Sequence, residues 1–298
     1  MNLTVSVFTP VHKYREQELV QLRDSIKSAN EWIILLNGDA LEHEQEVIDK
    51  FPEATVHTTQ VTQNVGYLKN LCCFHAKGDI LVEVDYDDYL TPGAIERIKK
   101  EFAEKPKVQY IYSNSVEFKE DGSDVVYSSY WGWRNRPYEG RTQMVAFPPS
   151  AHYMRRIEWA PNHVRAFRKS AYNEVGGYDK NIIVGDDHDL ICRFYIKYGA
   201  EGFSHIDECL YMYRVHSDNT CNGSNLNKEV QIQVDKNYIK YSEDMYKRWA
   251  KDNNLSCYDL GGRFNCPEGY LSIDLMDADI EMDLNQTWFE IPDNSVGV

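Results

Sequence analysis

Three carboxylates fall within four residues at Asp85-Tyr86-Asp87-Asp88, directly after the apolar run Ile80, Leu81, Val82 and Val84. Packing does not call for acids at the end of a buried strand. Two carboxylates about 4 Å apart repel by roughly 4 kcal/mol at an effective dielectric near 20. A hard divalent cation, which takes oxygen ligands and keeps waters or phosphates in its shell, removes that repulsion. The competing reading is a solvated acidic turn whose Asp side chains cap the next helix. A second acidic group, Asp186, Asp187 and Asp189, opens a helical segment about a hundred residues later, and His216 ends the strand-like run from Cys209 to Val215.

The elements that must position these groups follow from hydrophobic periodicity. Val5, Val7 and Phe8 form a first strand stopping at Thr9-Pro10, and Leu19, Leu22 and Ile26 recur at helical spacing. Trp32 to Leu36 is a continuous apolar strand ending in the turn signal Asn37-Gly38-Asp39. A short helix near 44–50, a strand near 55–58, a helix leading into Ile80, a helix from Thr91 with Pro92 at its first position, and a strand at 108–112 complete a β-α-β-α-β alternation. Continuous apolar strands between amphipathic helices predict a mostly parallel sheet covered on both faces. Ligands of such sheets bind beyond the carboxyl ends of the strands, where Asp39 and the Asp85–Asp88 cluster fall. The alternation fails between 116 and 159, where Glu120-Asp121-Gly122 reads as a hairpin turn and aromatics crowd an irregular stretch. Arg168 to Val175 reads as a helix. Leu226, Val230, Val234, Tyr238, Tyr241, Met245 and Trp249 keep a spacing of three or four, one long amphipathic helix.

The 298 residues suffice for one large domain or two ordinary ones, and 42% hydrophobic content supports a real core. A net charge of −15 argues against a nucleic-acid or anionic-membrane surface. Residues 251–298 hold ten acids and two bases, which marks them as a separate module. Seven cysteines, an odd number with no CxxC pair, signal neither a disulfide framework nor a zinc site, and a reduced, cytoplasmic location is the simplest expectation. No leader-like start and no run of about 20 apolar residues is present, so no transmembrane segment is expected.

The stretch from Asn64 to Pro92 supplies Asn64, Gly66, Lys69-Asn70, Ala76, Gly78-Asp79, Asp85-x-Asp87-Asp88 and Pro92, in that order. It resembles the signature of family-2 glycosyltransferases with the GT-A fold. Val5 to Tyr14 resembles that family's first strand and following loop. Arg168-Lys169-Ser170-Ala171, Gly176-Gly177-Tyr178-Asp179 and Asp186-Asp187-x-Asp189-Leu190-x-x-Arg193 resemble its acceptor-side pattern, and Tyr213 to His216 the segment that carries a metal-binding histidine in many members. The resemblance spans about residues 3–220. It implies a GT-A, Rossmann-like α/β domain over 1–222, with a nucleotide-binding half to about 115 and an acceptor half beyond it.

The same resemblance implies a single-displacement, inverting transfer of a hexosyl or deoxyhexosyl group from a nucleoside diphosphate sugar, a UDP-sugar by analogy, to a hydroxyl of a glycan or other acceptor. Mn2+ or Mg2+ would be held by Asp87 and His216, with Asp85 nearer the ribose or the metal waters, and would offset charge on the leaving diphosphate. Asp187 would be the general base, with Asp186 beside it. Thr9, Pro10, Asn64, Lys69, Tyr86 and Asp186 complete the expected nucleotide-sugar site. Either Asn37 or Asp39 pairs with the base, and Lys69 either approaches the diphosphate or is a solvated helix-face lysine. Trp131 or Trp133 is the expected acceptor contact, against a purely structural role for the aromatics. Two other readings stand beside this one: a sugar nucleotidyltransferase, although Thr9 to His12 is not its glycine-rich basic loop, and a non-catalytic carbohydrate-binding protein retaining the fold.

After a linking helix over 223–252, residues 253–298 resemble the start of a class I S-adenosylmethionine methyltransferase. Tyr258 to Gly262 would end a first strand and open a glycine loop, and Asp274 would close a second strand. So short a segment is not expected to bind S-adenosylmethionine.

Overall fold

The computed structural model describes residues 3–62, 64–129, 132–156, 160–219, 227–260, 266, 268–274, 276–282 and 296–297; Tyr130, Trp131, Trp159, Cys221, Leu226, Gly261 and Gly262, singled out from sequence, lie outside the described residues. Strands β1 (Val5–Val11), β2 (Glu31–Leu36), β3 (Thr55–Thr58) and β4 (Ile80–Glu83) pair in parallel in the order β3-β2-β1-β4. Helices α1 (Glu16–Ser25), α2 (Glu44–Lys50) and α3 (Val65–His75) connect them. The period of two along each strand divides the apolar side chains between two cores. Val5, Val7, Ile34, Leu36, Ile80 and Val82 face one core with Leu19 and Leu22 of α1, while Phe8, Ile33, Leu35 and Leu81 face the other with Leu68 and Cys72 of α3. The α/β class and the mostly parallel sheet are therefore as expected from the alternation.

Beyond β4 the structure departs from the sequence reading. A two-residue strand β5 (Tyr89–Leu90) precedes α4 (Ala94–Glu104), whose N-cap is Gly93 at φ 79°. Thr91 is not the cap: its hydroxyl donates to the Cys209 carbonyl at 2.8 Å. Strand β6 (Tyr110–Lys119) does not pair with β4. The irregular aromatic stretch contains a hairpin, β7 (Arg134–Tyr138) and β8 (Arg141–Val145), and a short α5 (Ala151–Arg156). Tyr138 pairs with Arg141, so Glu139-Gly140 is a two-residue turn, and both residues have positive φ as such a turn demands. Polar Arg-Asn-Arg-Pro-Tyr has no alternation to announce a strand. Strand β9 (Arg165–Arg168) inserts antiparallel between β4 and β6, and only then does α6 (Lys169–Glu174) begin.

Helix α7 (Asp186–Tyr198) and the long β10 (Phe203–Val215) complete the main sheet; β10 runs parallel to β6 and antiparallel to β5. Helix α8 (Asn227–Asp252) packs on α7 and α5, placing Tyr241 and Met245 in the same core as Leu190 and Phe194. Four short strands, β11 (Cys257–Leu260), β12 (Leu271–Asp274), β13 (Ile280–Glu281) and β14 (Val296–Gly297), form a separate parallel sheet ordered β13-β12-β11-β14. Among the described residues no helix is long and apolar enough to cross a membrane.

Candidate active site

A cavity of about 520 Å³ opens at the carboxyl edge of the main sheet. Its walls come from the ends of β1, β2 and β4, the first turn of α7, the segment before β9 and the end of β10, among them Pro10, Asn37, Asp85, Tyr86, Asp87, Asp186 and Asp187. The two acidic clusters, far apart in sequence, thus share one cavity.

Their meeting depends on how α3 is seated. Asn64 caps α3 by accepting from the Tyr67 amide at 2.9 Å and donates to the Lys180 carbonyl at 2.8 Å. The Val65 and Gly66 amides donate to the Ile183 and Ile182 carbonyls, at 3.0 and 3.2 Å. A side chain at Gly66 would collide with the Asp179 carbonyl oxygen and come within 2.8 Å of that of Ile182. This close backbone approach lays the start of α3 against the loop entering α7. One turn along α3, Lys69 lies buried between Glu83 at 2.9 Å and Asp186 at 3.1 Å. Arg165, entering β9, lies between Glu83 at 2.7 Å and Asp187 at 2.6 Å. Tyr178 adds its hydroxyl to Glu83.

Glu83 therefore anchors both cations, and each cation holds one Asp of α7. Burial opposes charge on Glu83, but Lys69 and Arg165 outweigh it and hold its carboxyl well below the usual range. Asp187 is likewise opposed by burial, outweighed by Arg165 and then Lys69, and its carboxyl is held low. Asp186 goes the other way: burial, with Asp187 and Glu83 nearby, pushes it up to about 6 despite Lys69. Asp85 is pushed up to about 7 by burial and then by Glu83, with Asp87 adding to it.

Beyond the end of β4, Asp87 Oδ2, on the cavity wall, and His216 Nε2 lie 2.6 Å apart; His216 is buried and is not itself among the lining residues. The Asp218 amide donates to His216 Nδ1 at 3.1 Å, while the Asp218 carboxylate is held by Lys13 at 2.7 Å and Arg15 at 2.6 Å. Asp88 turns away from this pair: it accepts from the Tyr211 hydroxyl at 2.9 Å and the Arg214 amide at 2.7 Å, fastening the end of β4 to β10. Among the described residues no three His, Cys, Asp or Glu side chains form a complete metal cage. A carboxylate and an imidazole at one point do suit Mn2+ or Mg2+ when substrate phosphates and water fill the remaining positions.

The other sequence candidates divide. Asn37 lines the cavity, buried, with its Nδ2 donating to the Val11 carbonyl at 3.0 Å and its Oδ1 without a hydrogen-bond partner among the described residues. Asp39 is exposed in the 3-10 turn after β2 and does not line the cavity. Thr9 is buried beneath the edge and accepts from Trp32 Nε1 at 3.1 Å. Trp133 stacks on Tyr127, ring centroids 4.6 Å apart; Tyr127 lines the cavity and Trp133 backs it. Trp131 lies outside the described residues. Glu83, Glu117, His163 and Arg165 are not singled out by the sequence, and Tyr127 is one of the aromatics considered for sugar stacking, with Trp131 or Trp133 preferred. Of those four, only Glu83 left a trace there, a lone acid inside an otherwise apolar strand.

The curled, mostly parallel α/β sheet, with an Asp-x-Asp turn and an Asp-Asp helix start on one cavity at its carboxyl edge, is a GT-A-type fold. The sequence model of glycosyl transferase family 2 matches residues 6–176, more than half of the chain, and the protein belongs to that family. The expected enzyme class, a glycosyltransferase, is the class of its family. The chain is 22% identical over 232 residues to the chondroitin synthase of Pasteurella multocida (strain Pm70) and, over the same length, to the hyaluronan synthase of Pasteurella multocida; each match covers 76% of this chain and 21% of the relative. The chain thus spans about a fifth of the length of these curated relatives. Among solved structures, TarS of S. aureus, residues 1–349 in complex with UDP-GlcNAc, superposes with a TM-score of 0.56 at 12% identity, covering 84% of this chain and 73% of that one. At that identity the likeness concerns the fold.

Proposed function

We propose that the protein transfers a sugar from a UDP-sugar to an acceptor hydroxyl with inversion at the anomeric carbon. The observation that carries this reading is that two unlike groups share one cavity: Asp87, bonded to His216 behind it, and Asp187, ionised and oriented by Arg165. A single displacement needs both groups, one for the departing diphosphate and one for the attacking hydroxyl, which lie on opposite sides of the anomeric carbon. The fold shared with TarS, solved with UDP-GlcNAc, and the synthase names of the relatives support the donor class.

The residues take their roles from position. Asn37 Oδ1, buried and without a hydrogen-bond partner among the described residues, accepts from the base, for which the uracil imide is suited. Pro10 and Tyr86 flank the nucleotide. Asp87 and His216 hold a divalent cation, with Asp85 beside them; the cation supplies Lewis-acid stabilisation of the diphosphate. Asp187 removes the acceptor proton. Lys69, spanning Glu83 and Asp186, keeps α7 in register with the sheet and does not face the diphosphate as a loose cation. We read 1–222 as the catalytic domain, with α8 following. In 253–298, strand order β13-β12-β11-β14 follows the 3-2-1-4 opening of doubly wound sheets, which supports a methyltransferase-like segment.

The test is to incubate the protein with a panel of nucleotide sugars, with Mn2+ or with chelator, and follow nucleoside diphosphate release. Metal-dependent release from UDP-sugars is expected. Pyrophosphate formation from a nucleoside triphosphate and a sugar 1-phosphate, with no diphosphate release from the nucleotide sugars, would instead favour a nucleotidyltransferase.

A further inference from the structure

The cavity is strongly acidic. Six carboxylates line it against two cationic side chains, Lys69 and Arg165, among the described residues. Both cations are already committed: Lys69 lies between Glu83 and Asp186, and Arg165 between Glu83 and Asp187. Of the two imidazoles on the wall, His12 and His163, burial drives both toward the neutral form. A diphosphate on the Asp87 side brings its own cation. Among the described residues nothing comparable is built on the side formed by β6 and the segment before β9.

That side is lined instead by groups suited to hydroxyls. Glu117, 8% exposed, accepts from the Tyr127 hydroxyl at 2.7 Å, and Tyr127 is backed by Trp133. His163, 4% exposed and stacked on Tyr211, lines the same cavity, and its Nδ1 has no hydrogen-bond partner among the described residues. A buried nitrogen without a partner is a costly feature unless a ligand completes it. A sugar hydroxyl can do so, and a second hydroxyl can donate to Glu117. A carboxylate or phosphate there would meet the Glu117 carboxyl, its pKa already pushed up by burial, in a partly desolvated wall with no uncommitted cation among the described residues to offset it.

Resting on the glycosyl-transfer reading of this cavity, we propose that Glu117, Tyr127 and His163 form the acceptor subsite. The subsite selects a neutral, hydroxyl-bearing terminal sugar and rejects one carrying a carboxylate or phosphate.

The experiment uses the full chain with the UDP-sugar that gives the fastest UDP release, and compares p-nitrophenyl hexosides and N-acetylhexosaminides with p-nitrophenyl glucuronide and a hexose 6-phosphate glycoside as acceptors. The expected result is a kcat/KM at least tenfold higher for a neutral glycoside. Glu117→Gln should shrink that preference toward parity. Tyr127→Phe, which leaves the Glu117 charge in place, should raise the KM for the neutral acceptor at least threefold while keeping the preference. Equal or better use of the anionic acceptors by the unaltered protein overturns the proposal. An unchanged preference in a folded Glu117→Gln protein also overturns it, as does an unchanged acceptor KM in Tyr127→Phe. UDP release without this selectivity sinks the subsite alone; no UDP release from any donor sinks the glycosyl-transfer reading, and the subsite with it.

Discussion

The guanidinium of Arg165 stands 2.6 Å from the carboxylate of Asp187, with its other amino group 2.7 Å from Glu83. The proposed base is thus clamped from strand β9, a strand hidden in the sequence between two arginines. The clamp orients Asp187 and keeps it ionised.

Arg165→Lys should therefore lower kcat at least tenfold, because a lysine ammonium cannot reproduce the fork that spans two carboxylates. The sign of the accompanying pH change follows from the clamp. Asp187 works deprotonated and is held below the usual carboxylate range, so the acid limb of kcat lies low and should move to higher pH in the variant. A pH–rate profile of both proteins checks this.

Glu83→Gln leaves Lys69 and Arg165 facing each other without their shared anion. Removing one partner of a buried ion pair costs about 3–5 kcal/mol, which urea unfolding should register. The folded-state pKa of Glu83 is depressed from 4.5. Its contribution is complete above that unfolded value and is lost as pH falls through the folded one. The difference between the two proteins should be full at pH 7 and smaller at pH 3.

What the sequence disclosed and what it hid divide on physical lines. The two-core sheet was legible because Val5, Val7 and Phe8, or Ile33 and Ile34, declare strand faces by alternation alone. Asp85, Asp87 and Asp187 stood out as candidates because acids at a strand end and a helix start are not called for by packing, whereas His216 stood out only through the family resemblance. Strand β9 was not, since Arg-Ala-Phe-Arg reads as a helix approach until Arg165 is seen to answer Glu83 across the sheet. The partner of a buried charge is chosen by tertiary pairing, which no local pattern encodes. The same holds for Glu117 and His163, whose meaning comes only from the wall they share. For Asn37 and Asp39 spacing left two choices, and the turn after β2 puts Asn37 inside and Asp39 in solvent.

Gly66→Ala should weaken the fold by about 1–3 kcal/mol through overpacking, as the added methyl displaces the loop at Asp179 and Ile182. Because that loop leads into α7, UDP release should fall along with the thermal midpoint. A control at Gly122, a solvent-facing turn with nothing near the missing side chain, should spare UDP release; its positive φ makes Asn the suitable replacement.

Metal should be felt at Asp218. Its amide donates to His216 Nδ1, so the proton on this ring sits on Nε2, facing Asp87. A cation taking Nε2 sends that proton to Nδ1, and the Asp218 amide loses its acceptor. Hydrogen exchange of a peptide covering 214–219 should quicken when MnCl2 replaces EDTA, and His216→Ala should abolish the difference.

The central claim is that one cavity separates a diphosphate-holding side from a base. Asp187→Asn tests it most directly, measured as UDP-sugar binding by calorimetry and acceptor-dependent UDP release on the same preparation. Donor affinity is expected within about threefold of the unaltered protein and transfer reduced at least a thousandfold, in a protein that still unfolds cooperatively with a thermal midpoint lowered by loss of the Arg165 ion pair. Retained transfer in a folded Asp187→Asn protein would contradict it.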